Sequence, residues 1–477
     1  MRFGTTLVIV CATVATVAAG AAFGTGLARR QQLQALQAAG SALPLSRRVD
    51  GTFDRYTFTT KARTAKRHLS SAQRWIANRV SPLVAYDSDP RVSLFVRGWE
   101  QAPPVSAYVN ATGVLIYGGN AKRLKEAKRW LVRRNGKQVH VDGWALLDIR
   151  QPAARRWWLY GGDGKASCGH DPRQRAALDL IACGYTGLWL DNLLTRPAQW
   201  YTPNPGIDDA SWGAGLVALV SELRDALPDG VPFTVNAHWT DLDFPYADAP
   251  VLRSDAPLVQ IAKIADQLLI EGGAIDRGLD YAAPGNTAWS YRRLLAYADA
   301  MHGQQVKLQW EKTDSVNLTA NATQRFGRIP NCGDADYPAR KRPAWRRGDA
   351  IWKGHVRTAA FNAATALLTF EPGDSVGDTC EYPGRGWRGY GVNLGTPLAA
   401  RSDTGTAITR LFANGFVAVN PSDQTLRVGL PDGQVGVNLA STASVDDQRA
   451  SSSFRLPGRT ALVVRYAGAT ATTPATQ

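Results

Sequence analysis

From about residue 80 to residue 375, short uninterrupted apolar runs alternate with longer stretches of helical period. The runs read as strands: "GVLIYGG" (113–119), "WALLDIR" (144–150), "GLWLDN" (187–192), "VPFTVNAHW" (231–239), "LLIEGG" (268–273) and "VKLQWEK" (306–312). "PLVAYD" (82–87) and "VSLFVRG" (92–98) compete for the first position. Between them, "LKEAKRWLVRRNG" (124–136) predicts an amphipathic helix stopped at Gly136. "PAARRWWLYGG" (152–162), "GAGLVALVSELRDALP" (213–228) and "WSYRRLLAYADAMHG" (289–303) predict further helices. "HVRTAAFNAATALLTFEPGD" (355–374) supplies a helix and a last strand ending at Glu371.

Strands apolar on both faces and separated by helices predict a parallel α/β fold. About eight such units predict a (β/α)8 TIM barrel over residues 81–395. An open doubly wound sheet is the alternative, and no glycine-rich phosphate loop follows an early strand to support it. After residue 400 helical period disappears. "RLFANGFVAVNPSDQTLRVGLPDG" and "GRTALVVRYAG" predict a small antiparallel β-domain over 396–468. Residues 25–80 read as a helical or loosely ordered lead-in, and 469–477 ("ATATTPATQ" within the tail) as disordered.

The N-terminal residues 1–24 carry an address. Arg2 precedes an uncharged apolar run from Thr5 to Phe23, with small residues at Ala19, Gly20 and Ala21. The segment is either a signal peptide or, at close to the ~20 residues that span a bilayer, an uncleaved anchor. Both predict an exported protein, secreted, periplasmic or envelope-associated. Cys11 lies within that segment, leaving Cys168, Cys183, Cys332 and Cys380. Four cysteines in an exported chain predict two disulfides in one of three connectivities. Cys168–Cys183 with Cys332–Cys380 closes the shorter loops and is the preferred set. No Cys-x-x-Cys pair is present and His number only 6, which argues against a zinc site.

Composition changes the picture in two respects. A hydrophobic fraction of 44% with 15 Trp describes a packed globular chain, and abundant Trp also suits sugar stacking. The net charge of +15 is scattered except in "KRLKEAKRWLVRR" (122–134) and "ARKRPAWRR" (339–347). These clusters are either solvated faces or a means of attracting an anionic polysaccharide or envelope surface. No nucleic-acid-binding motif accompanies them.

The candidate chemistry lies at the strand ends, which in a parallel barrel form the active-site face. Asp148 ends "WALLD", Asp191 and Asn192 end "GLWLDN", and Asn236 and His238 lie at the end of "FTVNAH". Glu271 ends "LLIE", Glu311 ends "LQWE" and Glu371 ends "LLTFE". Single acids at such positions are commonly caps or ion-pair partners. Five on successive strand ends repel one another unless the site is wet, partly protonated or occupied. Glycoside hydrolysis uses such a set, one carboxylate as nucleophile or base and a second carboxyl as proton donor. A Ca²⁺ or Mg²⁺ site lacks Asp-x-Asp loop spacing, and a serine hydrolase lacks its Gly-x-Ser-x-Gly turn. Asn192 is placed to keep Asp191 ionised, whereas Ile270 and Gly272 give Glu271 the apolar setting of an acid. Trp239, Trp289 and Trp310 are candidate sugar platforms, and His238 a candidate contact to a substrate hydroxyl.

The succession "WLVRRNGK" (130–137), "LLDIRQPAARRWW" (146–158) and "CGYTGLWLDN" (183–192) resembles TIM-barrel glycoside hydrolases of the hypothetical glycosyl-hydrolase-like family fifteen. That group is related in pattern to the endo-galactosaminidase-type barrels of exopolysaccharide systems. "GTPLAARSDTGTAITRLFANGFVAVNPSD" (395–423) resembles the point where its C-terminal β-domain begins. The resemblance spans roughly residues 80–430. It implies Asp191 as nucleophile or base, Glu271 as general acid, and Asp148 and Asn192 as residues that hold substrate hydroxyls or orient Asp191. No cofactor is expected; the expected substrate is a polysaccharide, with a hint from the basic charge of an anionic or amino-sugar-containing polymer. The alternative is a non-catalytic glycan-binding or envelope-scaffold barrel. The early strands depart from the family pattern, as does Trp189, where a smaller residue is usual, so the first strand with Tyr86 and Asp87 is not assigned.

Overall fold

A computed structural model of the protein describes residues 54–59, 83–85, 105–116, 121–141, 143–170, 175–195, 197, 206–238, 253–270, 274, 287–312, 350–378, 393–403, 407–440 and 450–468. A few of these are described by backbone alone. Strands β1 (Asp54–Thr59), β2 (Leu83–Ala85) and β3 (Val105–Asn110) come first. A long crossover follows, containing β4 (Gly113–Leu115), helix α1 (Ala121–Ala127) and a 3₁₀ turn (Lys128–Trp130). It continues through β5 (Arg133–Arg134), β6 (Lys137–Gln138), β7 (His140–Val141) and β8 (Trp144–Leu146). Helices α2 (Pro152–Tyr160) and α3 (Ala177–Ala182) lead into β9 (Gly187–Leu194).

A regular alternation then takes over. It runs α4 (Asp209–Ala226), β10 (Phe233–His238), α5 (Pro257–Ile264), β11 (Gln267–Ile270), α6 (Thr287–Gly303), β12 (Leu308–Lys312), α7 (Ala350–Thr369) and β13 (Ser375–Asp378). Eight strands, in the order β1-β13-β12-β11-β10-β9-β3-β2, pair in parallel and close on themselves. The α4 helix shows how the sequence encodes one such unit. Asp208 caps its N-terminus by accepting the Ser211 N–H at 2.7 Å, Asp209 sits in the first turn and Arg224 in the last. Leu216, Leu219, Val220 and Leu223 form the buried stripe at helical spacing.

Strand alternation sorts the barrel's two faces. Leu188, Leu190, Val235, Leu268, Ile270, Leu308 and Trp310 join the main core with helix residues such as Leu216 and Leu219. Trp189 and Leu269, with Tyr108 against them, form a separate cluster on the opposite face, the barrel interior. Tyr108 and Trp189 are register partners and stack at 5.6 Å.

The C-terminal residues form an antiparallel β-domain. Strands β14 (Ile408–Phe412), β15 (Gly415–Asn420), β16 (Leu426–Gly429), β17 (Gly436–Asn438), β18 (Ser453–Leu456) and β19 (Thr460–Tyr466) make a four-stranded sheet β14-β15-β19-β17 and a hairpin-like pair β16-β18. Every residue of β15 is buried because both faces are covered. Val417 and Val419 join the main core with α7 residues such as Leu367, and Phe416 and Ala418 pack on Val428 and Leu456 of the second sheet. Arg410 of β14 completes the junction, donating to the carbonyls of Leu367, Leu368 and Phe370 at the C-terminal end of α7. Burial pulls its pKa down, against the neighbouring Glu371 carboxylate.

Several expectations are corrected. The first barrel strand is β1, within the segment assigned to a lead-in, and β2 holds the position after it. The strand β3, "VSAYVN", is a barrel member that the apolar-run criterion passes over because one of its faces is polar. "GVLIYGG" and "WALLDIR" do contain strands, but β4, β7 and β8 form an antiparallel side sheet outside the barrel. The helix expected to stop at Gly136 ends at Ala127. "RRNGKQ" is instead the β5–β6 hairpin, with Asn135 (φ 50°) and Gly136 (φ 77°) both left-handed as a two-residue Asn-Gly turn requires. "ALLTF" is the buried end of α7, not a strand; Glu371 lies exposed in the turn before β13. An apolar helix buried on all sides loses the amphipathic signature that separates it from a strand. The Cys168–Cys183 disulfide is present, while Cys332 and Cys380 lie outside the described residues. The residues assigned to the address segment and the tail also lie outside them. Among the described residues no helix is long and apolar enough to cross a membrane.

At the N-terminal end of the barrel, Asp374 ties β12 to β13. Its carboxylate accepts the Leu308 N–H at 2.8 Å, the Glu371 N–H at 3.1 Å and the His302 Nε2 at 3.0 Å. Burial lowers the His302 pKa, but the hydrogen bond and charge of Asp374, with Glu371 and Asp299, outweigh it and leave it raised. A raised histidine contributes stability that is complete below its unfolded pKa of about 6.5 and is lost as pH climbs through the folded value. Urea denaturation is expected to show wild-type stability falling more steeply above pH 6.5 than that of His302→Gln. Parallel pH profiles would contradict the clamp.

Candidate active site

Strand β9 carries three apolar residues, Leu188 to Leu190, before Asp191 and Asn192. It pairs with β10 through Leu190↔Val235 and then Leu193↔Ala237, so Asp191 and Asn192 together oppose the single residue Asn236. This is a β-bulge, a device that turns a strand and redirects a side chain. Asn192 takes the left-handed conformation, φ 58°, that the bulge requires and that Asn tolerates better than most residues. Its carbonyl is held by the Thr112 hydroxyl at 2.8 Å.

The bulge gathers donors around the Asp191 carboxylate from three strands. Asn236 Nδ2 donates to Oδ1 at 2.8 Å and the Asn192 N–H to the same oxygen at 2.8 Å. Tyr108 Oη donates to Oδ2 at 2.5 Å, with Asn192 Nδ2 at 3.3 Å. Asn236 is buried and Asp191 is partly exposed. Donors to both oxygens stabilise the ionised carboxylate, and the stacked Tyr108–Trp189 pair lies two residues earlier on the same strands. The result is a carboxylate held in one orientation at the C-terminal end of a barrel strand.

The other candidates fall into distinct places. Asp148 follows the side sheet and is not at a barrel strand end. Its N–H donates to the Trp130 carbonyl at 2.8 Å, and Arg150 Nε and Gln151 Nε2 donate to its carboxylate at 2.7 and 3.0 Å. Burial pushes the Asp148 carboxyl up, but the hydrogen bonds from Arg150 and Gln151 and the Arg150 charge outweigh it and hold the group below the usual range. Trp310, expected as a sugar platform, is 0% exposed and packs outward in the main core, where no sugar reaches it. His238 ends β10 opposite Leu194, Glu311 lies in β12 opposite Gly377, and Trp289 lies in the first turn of α6; for these three the backbone alone is described. Glu271 and Trp239 lie outside the described residues.

Tyr108 is the functional partner that sequence reasoning missed. The signal was present in β3: Val105, Ala107 and Val109 alternate with Ser106, Tyr108 and Asn110, the pattern of a strand with one polar face. Among the described residues no group of three or more His, Cys, Asp or Glu side chains is placed to hold a metal ion.

No family model matches the chain, and no curated protein is detectably similar in sequence. Among solved structures it is similar to the glycoside hydrolase domain of PelA from Pseudomonas aeruginosa, at 14% identity and a TM-score of 0.33, covering 54% of this chain and 83% of that one. It is also similar to Amy13B of Eubacterium rectale, at 11% identity and a TM-score of 0.47 over 90% and 98% of the two chains. An Anoxybacillus alpha-amylase gives 11% identity and 0.42 over 88% and 99%. Likenesses this weak decide neither the fold nor the activity, which rest on the strand pairing and on the site itself.

The left-handed bulge residue gives a direct test. A β-branched side chain at φ 58° is strained, so Asn192→Val is expected to lower stability by about 1–3 kcal/mol, whereas Asn192→Gly stays within about 1 kcal/mol of wild type. Urea denaturation checks both. A valine variant as stable as the glycine variant would contradict the bulge.

Proposed function

We propose that this chain is an exported glycoside hydrolase that cleaves a polysaccharide, with Asp191 as nucleophile or base and Glu271 as general acid. The observation that carries the proposal is the Asp191 carboxylate itself, held by Tyr108, Asn192 and Asn236 at the C-terminal end of a barrel strand. The described donors, a phenol, two amides and a backbone N–H, reach both carboxylate oxygens from three strands. Such a set fixes the carboxylate's orientation, as a group that must act on an electron-poor sugar carbon requires.

The barrel is proposed to be of the (β/α)8 type, a reading that needs a helix in each crossover, including those before β3. Glu271 follows β11 directly. Leu269, two positions earlier in β11, packs with Trp189 in the barrel interior, and the period of two along a strand supports the choice of Glu271. The apolar sequence neighbours Ile270 and Gly272 suit a proton donor. Glu311 takes the corresponding place two beyond Gln309 and is proposed, with His238, Trp239 and Trp289, to contact sugar. Asp148 is proposed to act at a distance, fixing the crossover through Arg150. Residues 1–24 are proposed to direct export, whether cleaved or retained as an anchor.

Release of reducing ends from a panel of polysaccharides tests this reading. Wild-type protein is expected to act on at least one of them. Asp191→Asn is expected to abolish that activity, and Glu271→Gln to lower it by about a hundredfold to ten-thousandfold, both with unchanged circular dichroism. Full activity in either variant would overturn the assignment of that residue. Glycan binding without hydrolysis by the wild type would make the barrel a binding module.

A further inference from the structure

The crossover from β3 to β9 builds a groove of about 1090 Å³ that contributes nothing to the hydrogen bonds around Asp191. Five cationic side chains line it: Lys122, Lys125, Lys128, Arg129 and Arg133. Only two carboxylates, Glu126 and Asp163, stand against them. Lys122, Lys125 and Lys128 recur every three residues, so α1 and its 3₁₀ continuation turn one charged face to the groove. The opposite wall includes Gly161, Gly162 and Gly169, where backbone rather than side chain meets the groove.

Two features set this surface apart from an ordinary solvated helix face. Lys122, Lys125, Lys128 and Arg129 make no hydrogen bond or ion pair with another described residue. Arg129 is also preorganised: its guanidinium lies over the Trp130 ring at 4.1 Å. Trp130 in turn contacts Trp157 at 5.5 Å, and Arg123 covers Trp157 at 4.7 Å. A guanidinium seated over an indole can still offer N–H donors to a planar anion such as a carboxylate. Beneath it, the Trp157 indole N–H is buried without an acceptor.

We propose that this groove is a second, non-catalytic site that binds a uronate-bearing polysaccharide segment, with Arg129 engaging carboxylates and the lysines following the chain. Its volume of about 1090 Å³ lies at the upper end of ligand sites, room for a short run of sugar residues. Nucleic acid is disfavoured because Trp130 and Trp157 are 8% and 3% exposed, leaving no open ring on which a base stacks. A membrane surface is disfavoured because Val435, in the β-domain, is the one exposed large hydrophobic among the described residues, and interfacial binding needs an apolar wedge.

Binding of the full chain to polygalacturonate, neutral dextran, oligothymidylate and phosphatidylglycerol vesicles, by titration calorimetry at two salt concentrations, tests the proposal. Polygalacturonate is expected to bind more tightly than the other three and to weaken with salt. The triple variant Lys125→Glu, Lys128→Glu, Arg129→Glu is expected to lose at least tenfold in affinity with an unchanged thermal melt, and Arg129→Gln alone to lose a smaller part. Asp191→Asn is expected to bind as wild type does, which separates this site from the hydrolytic one. Unchanged binding by the triple variant, equal binding of dextran, or tighter binding of oligothymidylate or vesicles would overturn the proposal.

Discussion

A carboxylate at the end of an apolar strand must be matched by donors, and the local architecture around β9 is arranged to supply them to Asp191. Tyr108 comes from β3 on one side, Asn236 from β10 on the other, and Asn192 from the strand itself. The bulge, in which two residues of β9 face one of β10, brings Asn192 and Asp191 to the same donor and acceptor cluster. A left-handed residue is the conformational cost, and Asn at that position keeps it small.

The surrounding structure follows from this demand. Below the carboxylate, Tyr108 stacks on Trp189 and Leu269 packs with them, so these side chains fill this part of the barrel interior. Outside, Leu188 and Leu190 pack under the helices and fix the strand's register. The Trp158 indole donates to the Asn110 carbonyl at the end of β3, and the Trp212 indole to the Leu194 carbonyl at the end of β9. Two buried tryptophans therefore anchor the strand ends that flank the site. Arg155 secures the crossover loop by bonding Glu222 of α4 and the carbonyls of Ile149 and Arg150.

How much of this the sequence discloses depends on which face of a strand is apolar. The strands β9, β10, β11 and β12 lie in runs of apolar residues and are legible as such. The strands β1 ("DRYTFT") and β3 ("VSAYVN") alternate with polar residues, and the apolar-run criterion passes over them. The last helix misleads in the opposite direction, since α7 is buried so completely at its C-terminal half that it reads as a strand. The same limits apply to the site. Asp191, Asn192 and Asn236 are visible as polar residues ending apolar strands, whereas Tyr108 is hidden by the missed strand that carries it. Trp310 illustrates the remaining ambiguity: its neighbour Gln309 is buried on the interior face, so Trp310 itself must turn outward, and only strand parity reveals that.

The central claim is that Asp191 acts directly on the sugar. Chemical rescue tests it most sharply: Asp191→Gly is assayed on the best polysaccharide substrate with and without sodium azide. Recovery of turnover with azide, together with a glycosyl azide product, is the result the account predicts. Wild-type turnover by the glycine variant without azide, or an inactive variant that azide neither revives nor converts to a glycosyl azide, would contradict it.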